Sequence, residues 1–191
     1  MNVRENKLII NDYLNADYEI ANAFLLKSMN IDTLEINNSE VNLDTIKYFI
    51  SGTNIKSIIL NDSVIYYETN DLININSLVI NNIVCDNYEM FVKFRNLSKL
   101  IVSNLPNEFN CYYLRVLNQL NELGLINVRA SHLGGLGYVR DLNILHLNNI
   151  PIKNWVFTTK IFNLKTLYLS SEYDFNGIPR LLFSIKDEKE I

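Results

Sequence analysis

The apolar residues of this chain fall into one short string that keeps returning. Ile31, Leu34 and Ile36 precede Asn38, and Ile55, Ile58 and Leu60 precede Asp62. The same spacing recurs at Ile75, Leu78, Ile80 and Asn82, and at Leu97, Leu100, Val102 and Asn104. It recurs again at Leu120, Leu123, Leu125 and Asn127, at Leu142, Leu145, Leu147 and Asn149, and at Leu164, Leu167, Leu169 and Ser171. A degenerate first copy, Leu8, Ile10 and Asp12, lacks the leading apolar residue. The middle residues, Leu8, Leu34, Ile58, Leu78, Leu100, Leu123, Leu145 and Leu167, are separated by about 26, 24, 20, 22, 23, 22 and 22 residues. A sustained period of roughly 20–50 residues marks a solenoid, because one unit cannot bury its apolar face alone.

Apolar-x-apolar is a two-residue alternation, which places both apolar side chains on one side of a short strand. The string therefore predicts strands at 7–11, 33–37, 57–61, 77–81, 99–103, 122–126, 144–148 and 166–170. Stacked side by side they make a parallel sheet with a continuous Leu/Ile inner face. The eighth position holds Asp12, Asn38, Asp62, Asn82, Asn104, Asn127 and Asn149, then Ser171. A short amide or carboxylate there can bond nearby backbone as the chain turns inward. Repeated once per coil, these seven residues predict a structural ladder that satisfies amides otherwise buried unpaired.

The string resembles the consensus of the leucine-rich-repeat family, L-x-x-L-x-L-x-x-N-x-L, over nearly the whole chain. One departure is plain: the family's Asn is the ninth residue, whereas here it is the eighth, often followed by an apolar residue such as Ile83, Leu105, Val128 or Ile150. The resemblance implies an α/β solenoid of about eight repeats over 1–185. Its curved parallel sheet lies on the concave side, with short helices, 3-10 turns and loops on the convex side. Residues 186–191 read as a polar charged tail. The Asn- and Ile-rich style is similar to leucine-rich-repeat proteins of large AT-rich DNA viruses, entomopoxviruses included, and of some protists.

Between the strings, 17–29 has Ile20, Phe24 and Leu25 near helical spacing, with Ala21 and Ala23 in support. Shorter apolar-faced runs occupy 43–50, 88–94, 111–117 and 155–162, and most must borrow stability from the sheet. Residues 131–137 hold three of the six glycines, which predicts an irregular loop or 3-10 turn where backbones approach closely.

Composition adds less. Nearly half of the 191 residues are apolar and a fifth are charged, with net charge −4. Asn, at about thirty residues, and Ile, at about two dozen, are over-represented. No basic stripe of the kind that displaces phosphate counterions stands out along the sequence, so no nucleic-acid partner is expected. No stretch approaches the roughly 18 apolar residues of a membrane span, and the start lacks a secretory apolar region, so a cytoplasmic location without membrane contact is expected. Cys85 and Cys111 fit no metal spacing and read as buried free thiols.

The chain offers two imidazoles, His132 and His146, neither at a metal-ligand spacing from a Cys or carboxylate. The glycines at 134, 135 and 137 form no phosphate loop. No catalytic residue, metal site or cofactor is expected, and the chain is not expected to be an enzyme. What remains is the outward face of the strands. Its central column reads Glu35, Ile59, Val79, Ile101, Gly124, His146 and Tyr168, with Ile126 and Ile144 diagonally nearby. Apolar residues rimmed by polar ones mark a contact surface, so Glu35, Ile59, Val79, Ile101, Ile126, Ile144, His146 and Tyr168 are the candidate partner-binding residues. The expectation is a module that binds a protein partner on its concave sheet; the viral likeness implies a host factor as that partner. The chain is expected to be a monomer; the alternative is a structural, self-assembling repeat protein that uses its solenoid ends.

Overall fold

The computed structural model describes residues 2–4, 6–12, 30–68, 73–86, 88–152, 155–170 and 184–187. Within them each string forms one strand of a single parallel sheet. These strands are β2 (Lys7–Asn11), β3 (Thr33–Asn37), β5 (Ser57–Asn61), β7 (Ser77–Asn81), β9 (Lys99–Ser103), β11 (Glu122–Ile126), β13 (Ile144–Asn148) and β14 (Thr166–Leu169). They lie side by side in chain order. The register is residue for residue, so Leu34 faces Leu8 on one side and Ile58 on the other. Two further strands bring the sheet to ten: β1 (Asn2–Arg4) folds back antiparallel on β2, and β15 (Ser184–Asp187) pairs parallel with β14. Lys186 and Asp187, which the charge pattern assigns to the tail, thus extend the sheet instead.

A repeated register is what a repeated string requires. A one-residue slip would turn every apolar side chain outward, and the inward residues of all eight repeat strands are at most 1 % exposed. The leading residues Ile31, Ile55, Ile75, Leu97, Leu120, Leu142 and Leu164 are buried behind them. Burying each such side chain stabilises by about 1.5–3 kcal/mol.

The convex side is less uniform. The α-helix among the described residues, Leu43–Ile50, starts at Asn42, whose side chain accepts from the Asp44 backbone N–H at 2.8 Å. The later coils have 3-10 helices at Tyr88–Lys93, Cys111–Val116, Leu133–Tyr138 and Trp155–Lys160. Asn110 caps the second of these at 2.9 Å from the Tyr112 N–H. Short flanking strands β4 (Glu40–Asn42), β6 (Val64–Tyr66) and β8 (Val84–Cys85) form a second parallel sheet. The pair β10 (Phe109–Asn110) and β12 (Ala130–Ser131) makes a third. The helix expected over 17–29 lies outside the described residues.

Mid-solenoid, the ring of Phe109 takes edge-on contacts from Tyr88 at 5.4 Å and Phe91 at 5.7 Å. Gly135 shows why the glycine segment is what it is. A Cβ there would stand 2.8 Å from the Tyr112 Cα, so only glycine lets two neighbouring coils touch backbone to backbone. Among the described residues one charged side chain is buried: Lys93 is fully buried, its Nζ 2.7 Å from Asp44 Oδ1 and 5.3 Å from the centroid of the Tyr67 ring. The other carboxylate oxygen of Asp44 accepts from the Glu68 N–H at 2.6 Å. That pair ties together two coils 49 residues apart in sequence.

Candidate functional site

The turn after each strand explains the shifted Asn. Asp12, Asn38, Asp62, Asn82, Asn104, Asn127 and Asn149 all have positive φ, from 48° to 58°. This left-handed conformation is costly for most residues but tolerated by Asn and Asp. It turns the ninth residue inward, and Ser39, Ser63, Ile83, Leu105, Val128 and Ile150 are all buried there. The ladder side chains themselves are exposed and bond one another. Asn38 donates to Asp12 at 2.6 Å, Asn82 to Asp62 at 2.8 Å, Asn127 to Asn104 at 2.9 Å and Asn149 to Asn127 at 2.8 Å. Asn104 donates to Asn81 instead, at 2.7 Å.

The chemistry differs from the expectation that these side chains serve buried amides. The backbone does that itself: the N–H of Asn38, for example, reaches the Asn61 carbonyl at 3.0 Å. Buried polar bonding at the turn comes from serines. Ser39 Oγ donates to the Asn37 carbonyl and Ser63 Oγ to the Asn61 carbonyl, at 2.7 and 2.6 Å, and Ser63 Oγ accepts from the Ser39 N–H at 3.3 Å. No pattern in the sequence separates these serines from ordinary turn residues. The positive φ, by contrast, is recoverable from Asn/Asp persistence at one aligned position.

The strands then present their outward residues as three columns. The central one runs in register through Ile9, Glu35, Ile59, Val79, Ile101, Gly124, His146 and Tyr168. Ile9 extends the expected column by one strand; the same string, read one residue past Leu8, supplies it. Every side chain in it from Ile9 to Tyr168 is half-buried, because neighbouring strands crowd one another. Ile126 and Ile144 are half-buried too. They flank the central column on opposite sides, Ile126 beside Ser103 and Asn148, Ile144 beside Glu122 and Thr166. The apolar residues therefore form a central run, Ile59, Val79 and Ile101, plus two separate flanking positions. Gly124 opens no empty notch: a Cβ there would stand 2.6 Å from Ile101 Cδ1, so the isoleucine leans into that space.

Polar networks close both ends of the run. At the first, Lys7 Nζ lies 2.8 Å from Glu35 Oε2, and Asn37 donates to Glu35 Oε1 at 3.0 Å and to Asn11 at 2.8 Å. The hydrogen bond from Lys7 holds the Glu35 carboxyl below its ordinary value; burial opposes it and loses. At the second end, Glu122 Oε1 is 2.9 Å from Lys99 Nζ and 3.5 Å from His146 Nε2. The His146 ring stacks on Tyr168 with centroids 4.4 Å apart and planes 4° from parallel. Burial pushes the His146 pKa down; Glu122 pulls it up and Lys99 pushes it down. The ring is therefore mainly neutral at pH 7, an aromatic surface with a polar edge.

Cys85 and Cys111 are free and buried, and burial pushes both thiols up to about 12, far from a reactive thiolate. His132 is exposed, at the left-handed entry of the 3-10 helix Leu133–Tyr138. No group of three or more His, Cys, Asp or Glu among the described residues could hold a metal. No helix among them is long and apolar enough to cross a membrane.

No protein-family model and no curated protein matches the sequence. Solved structures do resemble the fold. An internalin C2 of Listeria monocytogenes superposes with a TM-score of 0.53 at 19 % identity, covering 74 % of this chain and 72 % of that one. An internalin, inlF, from the same species gives 0.59 at 20 % identity, over 91 % of this chain and 51 % of its own. The Toll–Spätzle complex, from Drosophila, gives 0.56 at 13 % identity, over 86 % of this chain and 27 % of that one. This chain thus spans about half of the inlF chain and about a quarter of the Toll complex chain it matches. Sheet, repeat string and neighbours together define a leucine-rich-repeat solenoid.

Proposed function

We propose that this chain is a protein-interaction module that holds a protein partner on its concave sheet, without chemistry of its own. One observation carries the reading: a half-buried apolar run, Ile59, Val79 and Ile101, set between two fixed polar networks on one in-register sheet. A surface whose side chains are already held by their neighbours loses little conformational freedom on binding. The stacked His146 and Tyr168 are residue types suited to contacts, with an apolar body and a polar tip. The solved complex of Toll with Spätzle shows a solenoid of this fold in a protein assembly, which supports a protein as the partner. The finer reading, a viral protein engaging a host factor in the host cytoplasm, is supported by likeness of composition.

The test replaces Val79 and Ile101 by Asp, checks by circular dichroism that the fold persists, and compares quantitative affinity capture with the unaltered chain. A partner whose recovery falls at least about tenfold, the effect of roughly 1.4 kcal/mol, supports the concave site. Undiminished capture by the folded variant refutes it.

A further inference from the structure

The convex side carries a second, chemically different surface. Arg95, Asn118, Arg140 and Phe162 each stand two residues before the leading apolar residue of the next string, Leu97, Leu120, Leu142 and Leu164. The solenoid therefore brings this offset together once per coil. With Arg115, Tyr138 and others they line one cavity of about 650 Å³. Three guanidiniums far apart in sequence converge there, and no carboxylate lines the cavity. None of the three forms an ion pair with a carboxylate among the described residues. Arg115 is held in place by its ring contact: its guanidinium carbon lies 4.1 Å over the Tyr112 centroid, and Tyr112 packs edge-on against Tyr138 at 5.9 Å. Phe162 is 87 % exposed and Tyr138 61 %, the two most exposed large apolar side chains among the described residues.

We propose that this groove binds a short acidic peptide segment of a partner protein, with carboxylates on Arg95, Arg115 and Arg140 and an apolar or aromatic side chain against Phe162 and Tyr138. Charge complementarity selects the occupant. Arginine's fork pairs with carboxylates bidentately, and arginine and aromatic residues dominate binding energy at protein contacts. A long nucleic acid is disfavoured, because the chain as a whole carries net charge −4 and a polyanion needs an extended basic track. The groove is lined by residues outside the repeat strands, so it stands or falls independently of the concave column.

Fluorescence anisotropy tests it with the full chain and three labelled probes: a glutamate-rich peptide around one tyrosine, the same peptide with glutamine for glutamate, and an oligothymidylate of similar length. The glutamate peptide binds, the glutamine peptide binds at least about tenfold more weakly, and added salt weakens binding. Arg140→Glu and Arg95→Glu, both at exposed side chains, each reduce affinity about tenfold or more while circular dichroism stays that of the unaltered chain. The Val79→Asp, Ile101→Asp variant retains it. Equal binding of the two peptides, tighter binding of the oligonucleotide, or indifference to both arginine variants overturns the proposal. So does concentration-dependent self-association that Arg140→Glu abolishes, which would make a second copy the occupant.

Discussion

The two sides of the solenoid are built from one chain under different rules. On the concave side every coil contributes a strand in the same register, with inward residues at most 1 % exposed. On the convex side one described coil closes with an α-helix, four close with 3-10 helices, and coil length varies from about 20 to 26 residues. The sheet tolerates no variation because each strand bonds two neighbours, and a slip inverts its faces. A convex segment need only bury an apolar edge and return. Strict repetition thus makes the concave face a smooth surface with graded chemistry, whereas freedom on the convex side lets unlike residues from several coils meet, as the arginines do.

The largest way to break that contrast is to strike the convex side where it does cross coils. Asp44→Ala leaves the buried ammonium of Lys93 without the carboxylate 2.7 Å away. A loss of about 3–5 kcal/mol in urea unfolding is expected. Lys93→Met in the Asp44→Ala background restores much of it, since the side chain is fully buried and no unpaired charge remains.

The turn joining the two sides gives a smaller effect and separates two explanations. Asn104 has φ 51° and also bonds Asn81 and Asn127. Asn104→Ala is expected to cost about 1–2 kcal/mol, because alanine resists the left-handed conformation. Asn104→Gly is expected to cost clearly less, although it removes the same side-chain bonds. Equal losses for the two would assign the stabilisation to the ladder rather than to the backbone.

The smallest effect lies on the concave face. With its pKa lowered by burial, His146 binds a proton less readily in the folded state than in the unfolded chain. Its contribution to stability is full above the ordinary histidine value near 6.5 and is lost as pH falls from there through the folded value. An imidazole titration followed by NMR is expected to give a midpoint below 6.5, and Glu122→Gln, which removes a charge that favours the protonated ring, moves it lower still. A midpoint at or above 6.5 would mean that Glu122 outweighs burial.

The same contrast governs what the sequence makes legible. Alternation at Leu34 and Ile36, repeated at Ile58 and Leu60 and onward, is enough to place strands and columns, because two-residue periodicity and stacking leave one arrangement. Asn38 and its equivalents are visible as a periodic feature, but the pattern does not say whether side-chain bonding or backbone conformation selects them. Positive φ decides for the backbone, and it also explains why Ser39 and Ile83 point inward at the ninth position, where the family consensus has its Asn. Lys93 and Asp44 look like two ordinary surface charges, since their meeting depends on how two unlike convex segments pack. Arg95, Arg115 and Arg140 are likewise unremarkable singly; only counting back from Leu97 and Leu142 would have aligned two of them.

The claim that matters most is that a partner sits on the concave column. Methyl NMR of isoleucine-labelled protein, titrated with the partner recovered by affinity capture, reads it directly, since Ile59, Ile101, Ile126 and Ile144 all project from the outward face. Shifts or broadening concentrated at Ile59 and Ile101, with Ile126 and Ile144 next, are predicted. Unperturbed signals from these four, with changes confined to convex residues such as Ile152, would contradict the account.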